Sequence, residues 1–175
     1  MKIKKQNYKH VINPWKPLYN KDSRVILLGS LPSPKSISFG FFYGSPRNIF
    51  WKTLSKALGQ KEPKKNIASR KRFVLKNHMA IWLTIKEADI IGSKDSTIKN
   101  PIFNDFSKIV LNSKIKYFFA EGKKSYLYFN NNISNKVGSK AIYLPSTSPA
   151  NCAMQKKPIF MERWSLLKKA LDGKI

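Results

Sequence analysis

The sequence predicts an α/β fold, a three-layer sandwich around a central, mostly parallel four-stranded sheet. Two observations carry the prediction. Four short apolar runs alternate with segments of helical periodicity, the pattern of strands covered by helices on both faces. The 175 residues, 42% of them hydrophobic, match one domain with a core large enough to need neither disulfide nor metal. The division expected is a basic N-terminal arm, residues 1–23, packed on a single body, residues 24–175.

The arm is read as irregular, with Pro14-Trp15-Lys16-Pro17 lying on the body. The strands are residues 24–29 (RVILLG), 78–83 (HMAIWL), 116–120 (KYFFA) and Ala141–Leu144 (AIYL), each an apolar run of strand length. The first helix is expected from Ser45 as N-cap and Pro46 as first helical residue, with Phe50, Leu54, Ala57 and Leu58 on one face and Gly59 as the stop. Further helices are expected over Ile67–Lys76, from Asn104-Asp105 to Asn112, over residues 122–130, and over Pro158–Leu171, with Lys168 and Lys169 at its negative end. In a parallel sheet, ligands bind beyond the carboxyl ends of the strands. Two segments leave strands at that rim, residues 30–47 and 145–157.

Composition narrows the partner. There are 34 basic residues against 9 acidic ones, a net charge of +25. Nucleic acid is the natural counterpart, because covering phosphates releases counterions. The lysines are spread along the chain, a pattern that biased coding DNA also produces. Cys152 is the single cysteine, so an intramolecular disulfide and a thiolate-held zinc or iron–sulfur centre are excluded. His10 and His78 have no ligand spacing. No metal and no cofactor are expected. The basic N-terminus lacks a following apolar run, and no stretch reaches membrane-spanning length. A monomer in the cytoplasm, associated with the nucleoid through DNA, is the expectation.

Three motifs carry the chemistry. The first rim segment contains Gly29-Ser30-Leu31-Pro32-Ser33 with Lys35-Ser36, then Gly40-Phe41-Phe42-Tyr43-Gly44-Ser45-Pro46-Arg47-Asn48-Ile49-Phe50-Trp51. Its aromatics either stack on an exposed base or plug the core beneath the loop. Asn48 both donates and accepts hydrogen bonds, so it orients water, grips a base edge or caps the helix. The middle motif is Asp95-Ser96-Thr97-Ile98-Lys99-Asn100-Pro101 with Asn104-Asp105-Phe106, and the last is Leu144-Pro145-Ser146-Thr147-Ser148-Pro149-Ala150-Asn151.

Together, and in this order, the motifs resemble the uracil-DNA glycosylase superfamily, and within it the hypoxanthine-DNA glycosylase (DNA-deoxyinosine glycosylase) branch. The resemblance runs from Arg24 to Trp164. It implies an enzyme that flips a deaminated base out of DNA, hypoxanthine above all, and hydrolyses its N-glycosidic bond without a cofactor. Most superfamily members carry a water-activating Asn or Asp two places after the strand-ending glycine. Leu31 stands there, as an apolar residue does in the hypoxanthine branch. The resemblance moves the essential amide to Asn48. It makes Tyr43 the ring that stacks on the flipped base, with Phe42 beside it among the base-binding residues. Ser30, Leu31, Pro32 and Asn100 become base-binding residues. Lys35, Ser36, Arg47, Ser146, Thr147, Ser148 and Asn151 become DNA contacts. Ser45 replaces a His or Asn common in relatives, which leaves it a capping role.

Asp95, Asp105 and Glu121 are further candidates for acid–base or charge-stabilising work, with structural roles as the competing explanation. Asn100-Pro101 lines a pocket or shapes a loop, and His78 reads as a strand-edge residue. No lysine sits in an apolar setting suited to a Schiff base, so hydrolysis alone is expected. Two rival functions remain open, a mismatch-type uracil or thymine glycosylase and a noncatalytic nucleic-acid-binding module of the same fold.

Overall fold

The computed structural model describes residues 7–175. Residues 1–6 of the expected N-terminal arm lie outside the described residues. The elements in order are β1 (Lys9–Ile12), β2 (Val25–Gly29), α1 (Pro34–Phe39), α2 (Phe50–Ala57), α3 (Ile67–Lys76), β3 (Met79–Leu83), β4 (Ile85–Ile90), β5 (Lys99–Phe103), α4 (Ser107–Leu111), β6 (Tyr117–Glu121), α5 (Lys123–Asn132), α6 (Ser134–Val137), β7 (Ala141–Leu144), α7 (Cys152–Gln155) and α8 (Pro158–Leu171). Short 3-10 turns occupy Asp95–Thr97 and Pro149–Asn151.

The central sheet has the order β3-β2-β6-β7, and its pairs are all parallel. Every residue of β2 and β3 is buried, which explains the unbroken apolar runs. Helix α5 lies against β6 and β7, α8 against β7 and β2, and α3 against β3. The result is an α/β sandwich. Because the strands run together, Gly29, Leu83, Glu121 and Leu144 all end on one rim.

A second sheet, β1-β4-β5, is antiparallel. It has a small core of Ile85, Ala88, Ile90 and Ile98, against which Val11, Leu31, Phe103 and Tyr128 pack. This sheet departs from the sequence expectation of four strands. Strand β4 (IKEADI) alternates polar and apolar side chains with one face solvated, so it lacks an apolar run. Strand β5 contains Pro101, which an edge strand tolerates because no ladder donor is needed there. Strand β1 lies within the segment expected to be irregular. Beyond it, Leu18 pairs with Ile81, and the Trp15 carbonyl accepts the Trp82 indole N–H at 3.0 Å.

Two helix starts differ as well. The segment 30–47 contains α1, with Ser33 accepting the Ser36 N–H, Pro34 at the first position and Gly40 left-handed at the end. Helix α2 begins at Phe50 rather than Pro46, because residues 45–48 form a turn closed by the Asn48 N–H on the Ser45 carbonyl at 3.0 Å. Ser45 is therefore not its cap.

Candidate active site

The rim is built around a missing Cβ. A methyl group on Gly29 would stand 2.9 Å from both the Tyr43 hydroxyl and Leu83 Cδ2, so a larger residue there would push one or both side chains aside. Tyr43 itself is left-handed, φ +51°, a conformation costing on the order of 1–3 kcal/mol for a non-glycine residue. Its ring lies parallel to Phe50 with centroids 3.6 Å apart, and its hydroxyl donates to Glu121 Oε2 at 3.3 Å. Burial, and then the neighbouring Glu121 charge, push the phenol well above its ordinary pKa.

Glu121 closes β6 and is buried. Its Oε1 accepts the Thr147 N–H at 2.5 Å and stands 2.7 Å from the Thr147 hydroxyl. Burial raises its pKa and the Asp95 charge adds to the rise, while the bonds from Thr147 and Tyr43 oppose it. The Thr147 hydroxyl also lies 2.8 Å from Asn48 Oδ1, and the Thr147 carbonyl accepts the Ile49 N–H at 3.2 Å. The two rim segments thus meet, joined by both backbone and side chain. Helix α8 braces the second from behind, with Trp164 donating to the Pro145 carbonyl and Arg163 to the Tyr143 carbonyl.

Asn48 sits just before α2 instead of inside it. Its Oδ1 accepts the Phe50 N–H at 2.9 Å, leaving Nδ2 with no protein partner among the described residues. A second acid completes the rim. Ser30 donates to the Asp95 carboxylate, at 2.8 and 2.9 Å from its two oxygens. Burial raises the Asp95 pKa, against the Ser30 bond and the Lys124 charge.

The other sequence-derived residues divide by burial. Lys35 and Arg47 are exposed on the first rim segment. Ser146, Ser148 and Asn151 are half-buried and shape their own loop: Ser146 Oγ accepts the Ser148 N–H, Ser148 Oγ accepts the Ala150 N–H, and Asn151 donates to the Ser146 carbonyl. Leu31 packs partly against the antiparallel sheet, and Pro32 is buried. Three roles are corrected. Phe42 is buried against Trp15 at 4.8 Å and Phe41 at 5.2 Å, so it plugs the core and cannot stack on a base. Ser36 is buried, where its hydroxyl accepts the Ser45 N–H and joins α1 to the turn before α2. Thr147 is fully buried between Glu121 and Asn48 and is not a phosphate contact.

Asn100 is exposed on β5 and donates to Asp89 at 2.9 Å, so its bond faces the antiparallel sheet and not the Asn48 group. Asp105 accepts the Ser107 N–H just ahead of α4, a structural role, and His78 is exposed at the turn into β3. Glu121 and Asp95 are the residues whose place in the site the motifs underweighted. For Glu121 the available signal was an acid directly ending an apolar strand. Among the described residues, no group of three or more His, Cys, Asp or Glu is placed to hold a metal ion, and no helix is long and apolar enough to cross a membrane.

The four-stranded parallel sheet flanked by helices is an α/β sandwich of the uracil-DNA glycosylase type. The solution NMR structure of a protein from Methanosarcina acetivorans, described as a candidate uracil DNA glycosylase, is similar with a TM-score of 0.75, at 26% identity, over 91% of this chain and 98% of that one. No family model matches the chain. Two curated relatives, both described as hypoxanthine DNA glycosylase, align with it. That of Methanosarcina barkeri is 30% identical over 136 residues, 77% of this chain and 85% of the relative. That of Methanosarcina acetivorans is 29% identical over 133 residues, 75% of this chain and 83% of the relative. The chain belongs to the hypoxanthine-DNA glycosylase branch of the uracil-DNA glycosylase superfamily.

Proposed function

We propose that this enzyme releases hypoxanthine from DNA by hydrolysis, with Asn48 as the catalytic residue. The observation that carries the reading is the division of labour within the Asn48 amide. Its oxygen is engaged by Phe50 and Thr147, while Nδ2 has no protein partner. An amide in that state offers a donor and not a base. Cleaving the C–N bond places negative charge on the leaving purine and positive charge on the sugar. A preorganised donor aimed at the purine stabilises the first of these, worth about 100- to 1000-fold in rate. Leu31, at the position where relatives carry a water-activating group, fits the same division. Tyr43 supplies the aromatic wall beside the amide, held by Phe50 on one face. Lys35 and Arg47 on one rim segment and the loop 146–151 on the other flank the DNA. The Ser30–Pro32 backbone reads the base edge. The chain acts as a monomer of one glycosylase domain with its N-terminal arm, on nucleoid DNA in the cytoplasm. Its net charge of +25 supports the DNA association.

The test is single-turnover excision from labelled duplexes carrying hypoxanthine, uracil, xanthine or an alkylated base, followed by alkali. Hypoxanthine release is expected to dominate. Asn48→Ala should slow it by about 100- to 1000-fold while DNA affinity stays unchanged. Excision near the wild-type rate by that variant refutes the Asn48 role. Preference for uracil favours the mismatch reading, and DNA binding without release of any base leaves only the binding-module reading.

A further inference from the structure

Three oxygens stand in a row at the rim. Glu121 Oε1 lies 2.7 Å from Thr147 Oγ1, which lies 2.8 Å from Asn48 Oδ1. Two gaps of that length need two protons, since facing lone pairs repel. The Thr147 hydroxyl carries one. Asn48 supplies none, because the Phe50 N–H at 2.9 Å fixes the oxygen end of its amide inward. Turning the amide over would set Nδ2 against that N–H, donor against donor. Glu121 can supply the second only as a neutral carboxyl, whose Oε1 also accepts the Thr147 N–H at 2.5 Å.

We infer that Glu121 is a positioning residue for the Asn48 amide: its neutral carboxyl donates to Thr147, Thr147 donates to Asn48 Oδ1, and Asn48 Nδ2 is thereby held outward for the substrate. When Glu121 ionises, the Thr147 hydroxyl turns to the carboxylate. Asn48 Oδ1 is then left facing a bare lone pair, and only the Phe50 N–H still holds the amide. The surroundings favour the neutral state. Burial works most strongly against the charge, the bonds from Thr147 and Tyr43 oppose that effect, and Asp95, from the 3-10 turn, adds like-charge repulsion, with the net pKa raised. Tyr43 faces Glu121 from the segment before α2 and Tyr143 from β7. Among the described residues no basic side chain pairs with Glu121, since Lys124 acts on Asp95 and Arg163 is bonded at the Tyr143 carbonyl. The inference rests on the Asn48 role proposed above.

The experiment measures single-turnover excision of hypoxanthine, and DNA affinity in parallel, between about pH 5 and pH 9. The wild-type rate is expected to fall by about tenfold per pH unit on the alkaline side, with affinity not following that fall. Thr147→Val breaks the relay, so its rate should be at least about tenfold lower at the optimum and flat across the alkaline side. Thr147→Ser keeps a hydroxyl and should recover both the rate and its fall. Should Thr147→Val not fold, the Asn48 side-chain amide resonances of the wild type decide the matter. They are expected to titrate with the same apparent pKa as excision. A wild-type profile with no alkaline fall, a Thr147→Val profile that keeps it, or amide resonances that do not titrate overturns the relay. Asn48→Ala, run alongside, separates the failures: normal excision by that variant defeats the Asn48 role itself, whereas loss of excision there with an unaltered Thr147→Val profile defeats only the relay.

Discussion

The molecule uses acids in two opposite ways, and the contrast lies between its two sheets. On the antiparallel sheet, Asp89 and Glu87 flank His10 at 2.9 and 3.1 Å in the open. The bonds from Asn100 and His10 hold the Asp89 pKa down, and the bond to Asp89, then that to Glu87, raises that of His10. At the rim of the parallel sheet, Glu121 and Asp95 meet only hydroxyls and a backbone N–H, and burial raises both. The first arrangement pairs charges in water, where they contribute little. The second raises carboxyl pKa values by burial, which costs stability whenever those groups carry charge. In a chain with 34 basic residues, keeping two acids away from any bonded cation is a specific arrangement.

The comparison can be broken most forcefully at Glu121. Glu121→Ala strands the buried Thr147 N–H and should destabilise by about 1–3 kcal/mol or more, read by chemical denaturation, and abolish most excision. Asp89→Ala on the other sheet should leave both unchanged. Equal effects at the two sites would erase the distinction. Gly29→Ala comes next, at about 1–3 kcal/mol for overpacking against Tyr43 and Leu83. Adding Tyr43→Phe should recover part of that loss by removing one of the two obstructing atoms, and a purely additive double mutant would deny the contact.

A smaller effect concerns pH. A carboxyl with a raised native pKa contributes stability that is complete below its unfolded value, near 4.5 for Glu121, and is lost as pH rises through the native value. The wild-type melting temperature should therefore fall relative to Glu121→Gln as pH increases from that point. A parallel course for the two proteins would place the native pKa at its ordinary value. The smallest effect belongs to His10→Ala. Its raised pKa gives stability that is complete below its unfolded value near 6.5 and is lost as pH rises through the higher native value, so the small effect on melting should vanish at alkaline pH while excision is unaffected. Borohydride trapping should likewise yield no covalent adduct with DNA.

Legibility from sequence followed burial. The four parallel strands were readable because residues such as Ile26 and Ile81 are enclosed on both sides. Strands β4 and β5 were not, since Glu87, Asp89 and Pro101 interrupt them on a solvated sheet. Helix α1 was readable in retrospect from Ser33, Pro34 and Gly40. Ser45-Pro46 imitates the same signal, yet a turn delays α2 by four residues. At the site, motif spacing placed Asn48 and Tyr43 on the rim, where the fold puts them. Thr147 and Ser36 were misread because a loop hydroxyl looks alike in sequence whether it faces phosphate or the interior. Only the folded chain reveals that Glu121 waits beneath Thr147.

The bond between Asn48 and Thr147 spans 99 positions of the chain. Its consequence concerns biosynthesis. The Thr147 contact to the amide forms only once the last strand, β7, has docked, so a polypeptide that ends before β7 lacks that contact even though it already holds Asn48 and Tyr43.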